Sequence, residues 1–597
     1  MCGIFAIYND KRKLALQTVF NGLKSLEYRG YDSWGIVAGS DDNRIQIIKE
    51  VGKLPPSLPK IKNKKLTSNI ALGHTRWATH GGVSKKNCHP HCDCQKEIFV
   101  VHNGIIENFN DLKKDLLDKR HRFLSETDTE VFAHLIEEEW KKTSYIKNLS
   151  NEFIQKMFRK IEGLNAFIVF LPKILQIFAI KNSSPIVFGI DEKNNQFFLA
   201  SDYGGIIEYT KKIYFLEDNE LLILKEKKFF LYDQKGKKKK PQWIIIDQKK
   251  ESFSLSDHPH YMIKEIKEQP QVINNILKTK KSEILKLADI IRKSYGNYFI
   301  GCGTAYYAAL TGTYLFAKIA KRHTNAAVGS EFSYLVNFLT NKSLVIALSQ
   351  SGETIDIISS VKKIKEKQAK VFAITNVLGS TLYRMADYKI LLDAGPEKCV
   401  LATKSFTAKI AILILLAFAL SGNLDQGVER LKKAVKELKN VIDSYQKIKE
   451  IAQLIKNKKH IFVLGRGLSY PLALEAALKI KEVSYIHSEG FPAGELKHGV
   501  IALIEKGTPV IVFNPEDETY QDTLSSAFEV KARGGYLIGV SSKKNPVYDQ
   551  LIEIKDHNET FLVSYIAVAQ LLGYYLALAL GCDPDKPRNL AKSVTVK

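Results

Sequence analysis

Cysteine is scarce in this chain, seven residues in 597. That count is too low for a disulfide framework and points to a reducing compartment. Three of the seven cluster as Cys88, Cys92 and Cys94 beside His89 and His91 in NCHPHCDCQ. The C-x3-C-x-C spacing lacks the paired CxxC of common zinc sites, so the expectation is a loop before a strand and no metal. Acidic residues are also in deficit, 64 against 88 Lys and Arg, for a formal charge of +24. The basic residues are spread along the chain, with one short run, KGKKKK at 235–240. No zinc-finger, basic-zipper or RNA-recognition pattern accompanies them, so no nucleic-acid partner is expected. The excess can still steer a small anionic substrate. Long apolar runs are nearly absent. FLVSYIAVAQLLGYYLALALG (561–581) is long enough to span a bilayer, but Ser564 and Gln570 interrupt it, and Lys555 and Asp583 flank it without a topogenic pattern. A buried core helix is the expectation, with no membrane partner. No basic n-region or small-residue cleavage site precedes Asp10 and Lys11, so no signal peptide is read and a soluble, cytoplasmic protein is expected.

What is present suggests three or four domains of about 150 residues each. Residues 2–230 read as short strands mixed with a few helices, and 231–262 as a linker with aromatic anchors. From 263 the pattern becomes strand, glycine turn and long helix, the mark of a parallel sheet wrapped by helices. This half repeats itself. NYFIGCGTAYYAAL and HIFVLGRGLSYPLAL are each an apolar strand, G-x-G and a helix start, 164 residues apart (Leu310 to Leu474). Their next strands correspond too, at 343–357 and 508–522. The domains are therefore set at 263–435 and 445–587, with a tail at 588–597.

Three places carry chemistry. Cys2 directly precedes an apolar strand. It is either a small core residue or, once Met1 is removed, a thiol with a free α-amine of pKa roughly 7.7–8.0 as its own base. After the second strand of the first copy comes Ser349-Gln350-Ser351-Gly352-Glu353-Thr354. These donors at a helix start suit a phosphate, although Ser and Thr are also ordinary N-caps. The second copy has Asn514-Pro515-Glu516-Asp517-Glu518-Thr519 there, whose three carboxylates would repel a phosphate. In LALEAALKIKE, Glu475, Lys479 and Glu482 share one face of an otherwise apolar helix. That narrow charged stripe fits a cleft better than an open surface.

Taken together, MCGI, LEYRGYDS, GHTRWATHG, VVHNGIIEN, SETDTE, CGT, SQSGET, ELKHG and PRNLAKSVTVK resemble the glutamine–fructose-6-phosphate aminotransferase family over essentially the whole chain. The resemblance implies an α/β multidomain fold: an N-terminal-nucleophile αββα glutaminase domain, then two tandem sugar-isomerase domains of the doubly wound, parallel-sheet type. It implies glutamine and fructose 6-phosphate as substrates, a homodimer, and no metal or organic cofactor. By resemblance, Cys2 is the nucleophile, and Asn103 and Gly104 supply the oxyanion donors, although Asn-Gly is also a strong hairpin-turn signal. Arg76 would hold the glutamine carboxylate and Asp128 its ammonium, with His80 and Arg29 supporting the pocket. Trp77 would gate ammonia. Thr304, Ser349, Gln350, Ser351 and Thr354 would bind the sugar phosphate beside Glu475 and Lys479. Glu482 would be the isomerisation base, His498, from a neighbouring subunit, the ring-opening residue, and Lys592 the Schiff-base lysine.

Ala305 and Ala402 stand where the family commonly has serines, which predicts weaker sugar-phosphate binding. Trp34 replaces a usually small residue. Two other functions fit parts of the pattern, a glutamine amidotransferase acting on a different ketose phosphate and a non-enzymatic sugar-phosphate sensor. The sensor would be expected to carry a helix-turn-helix, and would not need Cys2, Glu482 and Lys592 together.

Overall fold

The computed structural model describes residues 2–10, 14–40, 44–59, 68–142, 150–246 and 255–595. The chain divides into two units, Met1–Ser254 with Ala591–Lys597, and Leu255–Leu590.

The first unit is built on two antiparallel sheets, of eight and seven strands. In the larger sheet, the strand Gly3–Tyr8 pairs with Ile70–Arg76 and Gln196–Ala200. In the smaller, Phe99–Gly104 pairs with Asn165–Leu171. Because alternate residues of a strand face opposite sides, Ile4, Ala6 and Tyr8 join Ile70, Leu72, Phe99, Val101 and Ile168 in one apolar layer between the sheets. The outer face of the smaller sheet packs Val100, Phe167 and Phe178 against Phe132, Ile136, Ile154 and Phe158 of the helices Glu130–Lys142 and Asn151–Arg159. The helix Ala15–Leu26 covers the other sheet through Val19, Phe20 and Leu23. Trp34, which had no assigned role, fills this layer. It is buried and meets Phe20 edge-on with ring centroids 5.8 Å apart.

The linker boundary needs correction. Part of 231–262 belongs to this unit, as Lys228–Tyr232, Lys238–Lys239 and Ile244–Ile245 are all strands of its sheets. Trp243 packs on Phe188 and Phe229, which makes it an anchor within the domain. Residues 247–254 of the expected linker lie outside the described residues.

The second unit holds two five-stranded parallel sheets of identical order. In the first, the strand Asn297–Gly301 lies between Asn325–Val328 and Leu344–Ser349. In the second, His460–Gly465 lies between His487–Pro492 and Pro509–Phe513. The repeat read from the sequence is therefore a repeat of topology. Gly301 and Gly465 have the same cause: a Cβ on either would stand 2.5 or 2.1 Å from main-chain oxygen in the following helix. The apolar helix Phe561–Ala579 is a core element, buried along 94% of its most apolar window. It packs against the helices Leu424–Asp443, Gln446–Ile455 and Ser469–Ser484.

Candidate active sites

The alternation that builds the inter-sheet layer also builds the first site. Cys2 continues the Ile4–Ala6–Tyr8 face, His74 and Arg76 continue Ile70–Leu72, and Asn103 continues Phe99–Val101. At one end of the layer the apolar side chains thus give way to a thiol, imidazoles, an amide and a guanidinium. They open on a cleft that brings together Cys2, Arg76, Trp77, His80, Asn103, Gly104 and Asp128. Thr595 of the C-terminal tail also lines it.

The Trp77 N–H donates to Cys2 Sγ at 3.2 Å, which fixes the thiol's position in the cleft. Asn103 Nδ2 donates to the Cys2 carbonyl at 3.1 Å, and Asn103 Oδ1 is held by His74 Nε2 at 3.2 Å. The amide N–H groups of Asn103 are thereby turned toward the nucleophile. The hairpin reading of Asn103–Gly104 does not hold. Both residues end a strand, paired with Ala166 and Asn165, and no turn forms there. Gly104 has φ +139°, and a Cβ on it would lie 2.2 Å from the Leu164 carbonyl oxygen, so the position demands glycine.

Arg76 donates to the carbonyls of Gly81 at 2.9 Å and Gly82 at 3.1 Å, which fixes the loop after Trp77. Asp128 Oδ2 accepts from Ile106 N–H at 2.8 Å. Arg29 does not line the cleft. It is buried behind it, 3.4 Å from the Cys2 carbonyl oxygen and 3.3 Å from Asp202, and so supports the nucleophile's main chain and not the substrate. Met1 lies outside the described residues.

Sequence reading missed the histidines beneath this cleft. His74 and His89 stack with ring centroids 4.1 Å apart, and His91 meets His89 edge-on. Burial, and then Arg76, lowers His74 to about 3. Burial and the neighbouring cations and imidazoles push His89 and His91 well below the usual range. The floor of the site is therefore neutral at pH 7. The clue was available in GHTRW, where His74 and Arg76 share strand parity.

The second unit carries the other site. The loops after Asn297–Gly301 and Leu344–Ser349 leave the C-terminal ends of adjacent parallel strands, where strand order reverses and open α/β sheets bind ligands. Thr354 occupies the N-cap position of the helix Ile355–Glu366 but makes no side-chain cap bond. Its hydroxyl meets Ser349 Oγ at 2.9 Å, and Ser349 also accepts from Gly352 N–H. Ser351 accepts from Glu353 N–H, and Gln350 holds the loop through its carbonyl. The simple N-cap reading is thus set aside. In the second copy, Thr519 bonds Asp517, while Glu518 and Glu516 pair with Lys318 and Lys543.

Thr304 Oγ1 donates to Glu475 Oε1 at 3.3 Å, which joins the two copies. Lys479 Nζ lies 2.6 Å from Glu482 and 3.5 Å from Glu475. The side chains of Glu475 and Lys479 are fully buried, while that of Glu482 is 20% exposed. Burial and Glu482 raise Glu475 to about 7, against the pull of Lys479. Burial works against the Lys479 charge, but Glu475 and Glu482 outweigh it and hold the ammonium protonated. His498 is exposed on the short helix Ala493–His498. Lys592 lies in the segment Ala591–Lys597, which groups with the first unit.

The architecture defines a glutamine amidotransferase joined to a tandem sugar-isomerase pair. Residues 74–208 match the glutamine amidotransferase domain, and residues 290–419 and 454–580 each match the SIS domain. A relative from Thermococcus kodakarensis named glutamine–fructose-6-phosphate aminotransferase (isomerizing) is 40% identical over 616 aligned positions, covering all of both chains. One of the same name from Pyrococcus horikoshii is 41% identical, again over the whole of both. The C-terminal domain of glucosamine-fructose-6-phosphate aminotransferase from Francisella tularensis superposes with a TM-score of 0.52 and 34% identity, covering 56% of this chain and 99% of that one. The chain belongs to the glutamine–fructose-6-phosphate aminotransferase (isomerizing) family.

Proposed function

We propose that this enzyme hydrolyses glutamine at Cys2 and places the released ammonia on fructose 6-phosphate, giving glutamate and glucosamine 6-phosphate, the entry to amino-sugar synthesis. The observation that carries the reading is one chain holding both a thiol with oriented amide donors and a Glu475–Lys479–Glu482 triad, buried at Glu475 and Lys479, beside a hydroxyl-rich helix start.

The Cys2 thiolate attacks the glutamine side-chain carbonyl, with the Cys2 α-amine taking the proton once Met1 is removed. Asn103 Nδ2 and Gly104 N–H bind the oxyanion. Ammonia leaves, and water cleaves the thioester to glutamate. Arg76 and Asp128 take the substrate's α-carboxylate and α-ammonium, and His80 closes the pocket. Trp77, whose main chain already touches Cys2, gates the ammonia.

At the sugar, Thr304, Ser349, Gln350, Ser351 and Thr354 hold the phosphate. His498 opens the ring, and its exposure suits donation to a neighbouring subunit of a homodimer. The Lys592 amine condenses with the C2 carbonyl and loses water, and ammonia then displaces the lysine. Glu482 moves a proton from C1 to C2 to complete the isomerisation. Glu475, poised near neutrality, exchanges protons with the sugar oxygens. None of these steps involves a cofactor, and the enzyme works in the cytoplasm.

The test is Cys2→Ala. Glutamate release should vanish, while interconversion of fructose 6-phosphate and glucose 6-phosphate, which needs only the second site, persists. Glutamate release at the parent rate would refute the role of Cys2.

A further inference from the structure

Outside both sites, the first unit gathers four metal-binding side chains from distant parts of the sequence. Cys94 Sγ, His121 Nδ1, His134 Nδ1 and a Glu137 carboxylate oxygen all lie within 4.8 Å of one another. His121 Nδ1 and His134 Nδ1 are 3.3 Å apart, and Glu137 Oε2 is 3.0 and 3.2 Å from them. Cys94 Sγ is 3.8 and 3.7 Å from the same two nitrogens. A tetrahedral zinc with bonds of about 2.05 Å to nitrogen and about 2.3 Å to sulfur has nitrogen–nitrogen edges of about 3.3 Å and sulfur–nitrogen edges of about 3.6 Å. The four atoms thus stand close to the corners such an ion requires.

The surroundings point the same way. The other nitrogen of each histidine faces a carboxylate: His121 Nε2 lies 3.2 Å from Glu138, and His134 Nε2 lies 3.6 Å from Glu130. At His121 this carboxylate–imidazole hydrogen bond places the proton on Nε2 and leaves the Nδ1 lone pair free for a metal; His134 Nε2 faces Glu130 without a hydrogen bond, and the same tautomer there leaves its Nδ1 free. Two such lone pairs and a carboxylate oxygen would then face each other at near 3 Å, a repulsive arrangement unless a cation or a proton lies among them. Arg122 N–H stands 3.4 Å from Cys94 Sγ, a donor suited to a thiolate. Lys141 holds the far oxygen of Glu137 at 2.7 Å. One thiolate and one carboxylate match the charge of a divalent ion. The neighbours Cys88 and Cys92 take no part: Cys88 donates to the Ser84 and Glu50 carbonyls, and Cys92 sits in a strand opposite Phe99, outside the group of four.

We propose that Cys94, His121, His134 and Glu137 bind one structural zinc ion. Four protein ligands leave no open position for catalysis. The ion would pin the turn after His91–Cys92 to the segment at 121–122 and to the helix Glu130–Lys142. The entrance to that helix carries Asp128 and Thr129 at the glutamine cleft.

The test uses the full-length enzyme, stripped with a chelator, reloaded separately with Zn²⁺ and with Co²⁺, and desalted. Elemental analysis should find about one zinc per chain, at least tenfold less in the Cys94→Ser/His121→Ala double variant. The cobalt form should show a thiolate-to-metal charge-transfer band. That band should vanish in Cys94→Ser and persist in Cys582→Ser, whose thiol lies in the other unit. Glutamate release, measured alongside, reports that each preparation is folded. Two results would overturn the proposal: a folded parent enzyme with less than a tenth of an equivalent of zinc and no cobalt–thiolate band, or a band unchanged in Cys94→Ser.

Discussion

Replacing Gly104 by alanine would put a methyl group 2.2 Å from the Leu164 carbonyl oxygen, 2.8 Å from His102 Nε2 and 2.9 Å from Asn165 Cα. None of these atoms can withdraw easily. Leu164 and Asn165 are main chain entering the neighbouring strand, and His102 is stacked on Phe167 and bonded to Thr129 and Asn165. The end of the strand Phe99–Gly104 must therefore shift. The φ of +139° adds strain for any side chain, for a combined cost of about 3 kcal/mol to the first unit. The chemical effect is sharper. A displaced Gly104 N–H removes one oxyanion donor, worth about 10²–10³ in kcat. The assay is the initial rate of glutamate release at saturating glutamine and fructose 6-phosphate. Sugar-phosphate isomerisation without glutamine serves as the control and should be unchanged. Gly104→Ala with glutamate release within about threefold of the parent would refute the oxyanion assignment.

Other expectations concern the second unit. Glu475 is raised from 4.5 to about 7, so between those values the folded state holds a proton that the unfolded state has released. Stability therefore falls as pH rises through that window, by on the order of 3 kcal/mol. Urea midpoints of the second unit from pH 5 to 8 should show this slope, and Glu475→Gln should flatten it; an unchanged slope would count against the assignment. Lys479→Met leaves two carboxylates facing each other without their cation. It should destabilise the second unit by about 3–5 kcal/mol and abolish isomerisation, while sugar-free glutamate release persists; denaturant unfolding and the two rate assays check this. Restoring serine at Ala305 and Ala402 should lower the KM for fructose 6-phosphate roughly thirtyfold, at about 1 kcal/mol for each hydroxyl bond, and no change would remove the reason given for weak binding.

The parallel-sheet half was legible because its signals are local. The first strand of each copy ends in a glycine, Gly301 or Gly465, whose missing Cβ lets the next helix approach. The charged stripe of Glu475, Lys479 and Glu482 was legible from helical spacing against an apolar background. Asn103–Gly104 misled because turn propensity is a local property, whereas long-range pairing with Ala166 and Asn165 decides the conformation. The linker was misplaced because a lysine-rich stretch also serves as edge strands, with Trp243 reaching the core. His74 was overlooked because its importance lies in orienting Asn103 across two strands. The Cys94 cluster was invisible for a similar reason. Its ligands come from a turn, a loop and one helix face, and only His134 and Glu137 are close in sequence.

The central claim is that one chain couples the two reactions. The direct measurement is glutamate release from glutamine with and without fructose 6-phosphate, alongside mass spectrometry of the sugar product. The account predicts release that rises with the sugar and is matched by glucosamine 6-phosphate. Glutamate released at the same rate with or without the sugar, and with no aminosugar formed, would contradict it.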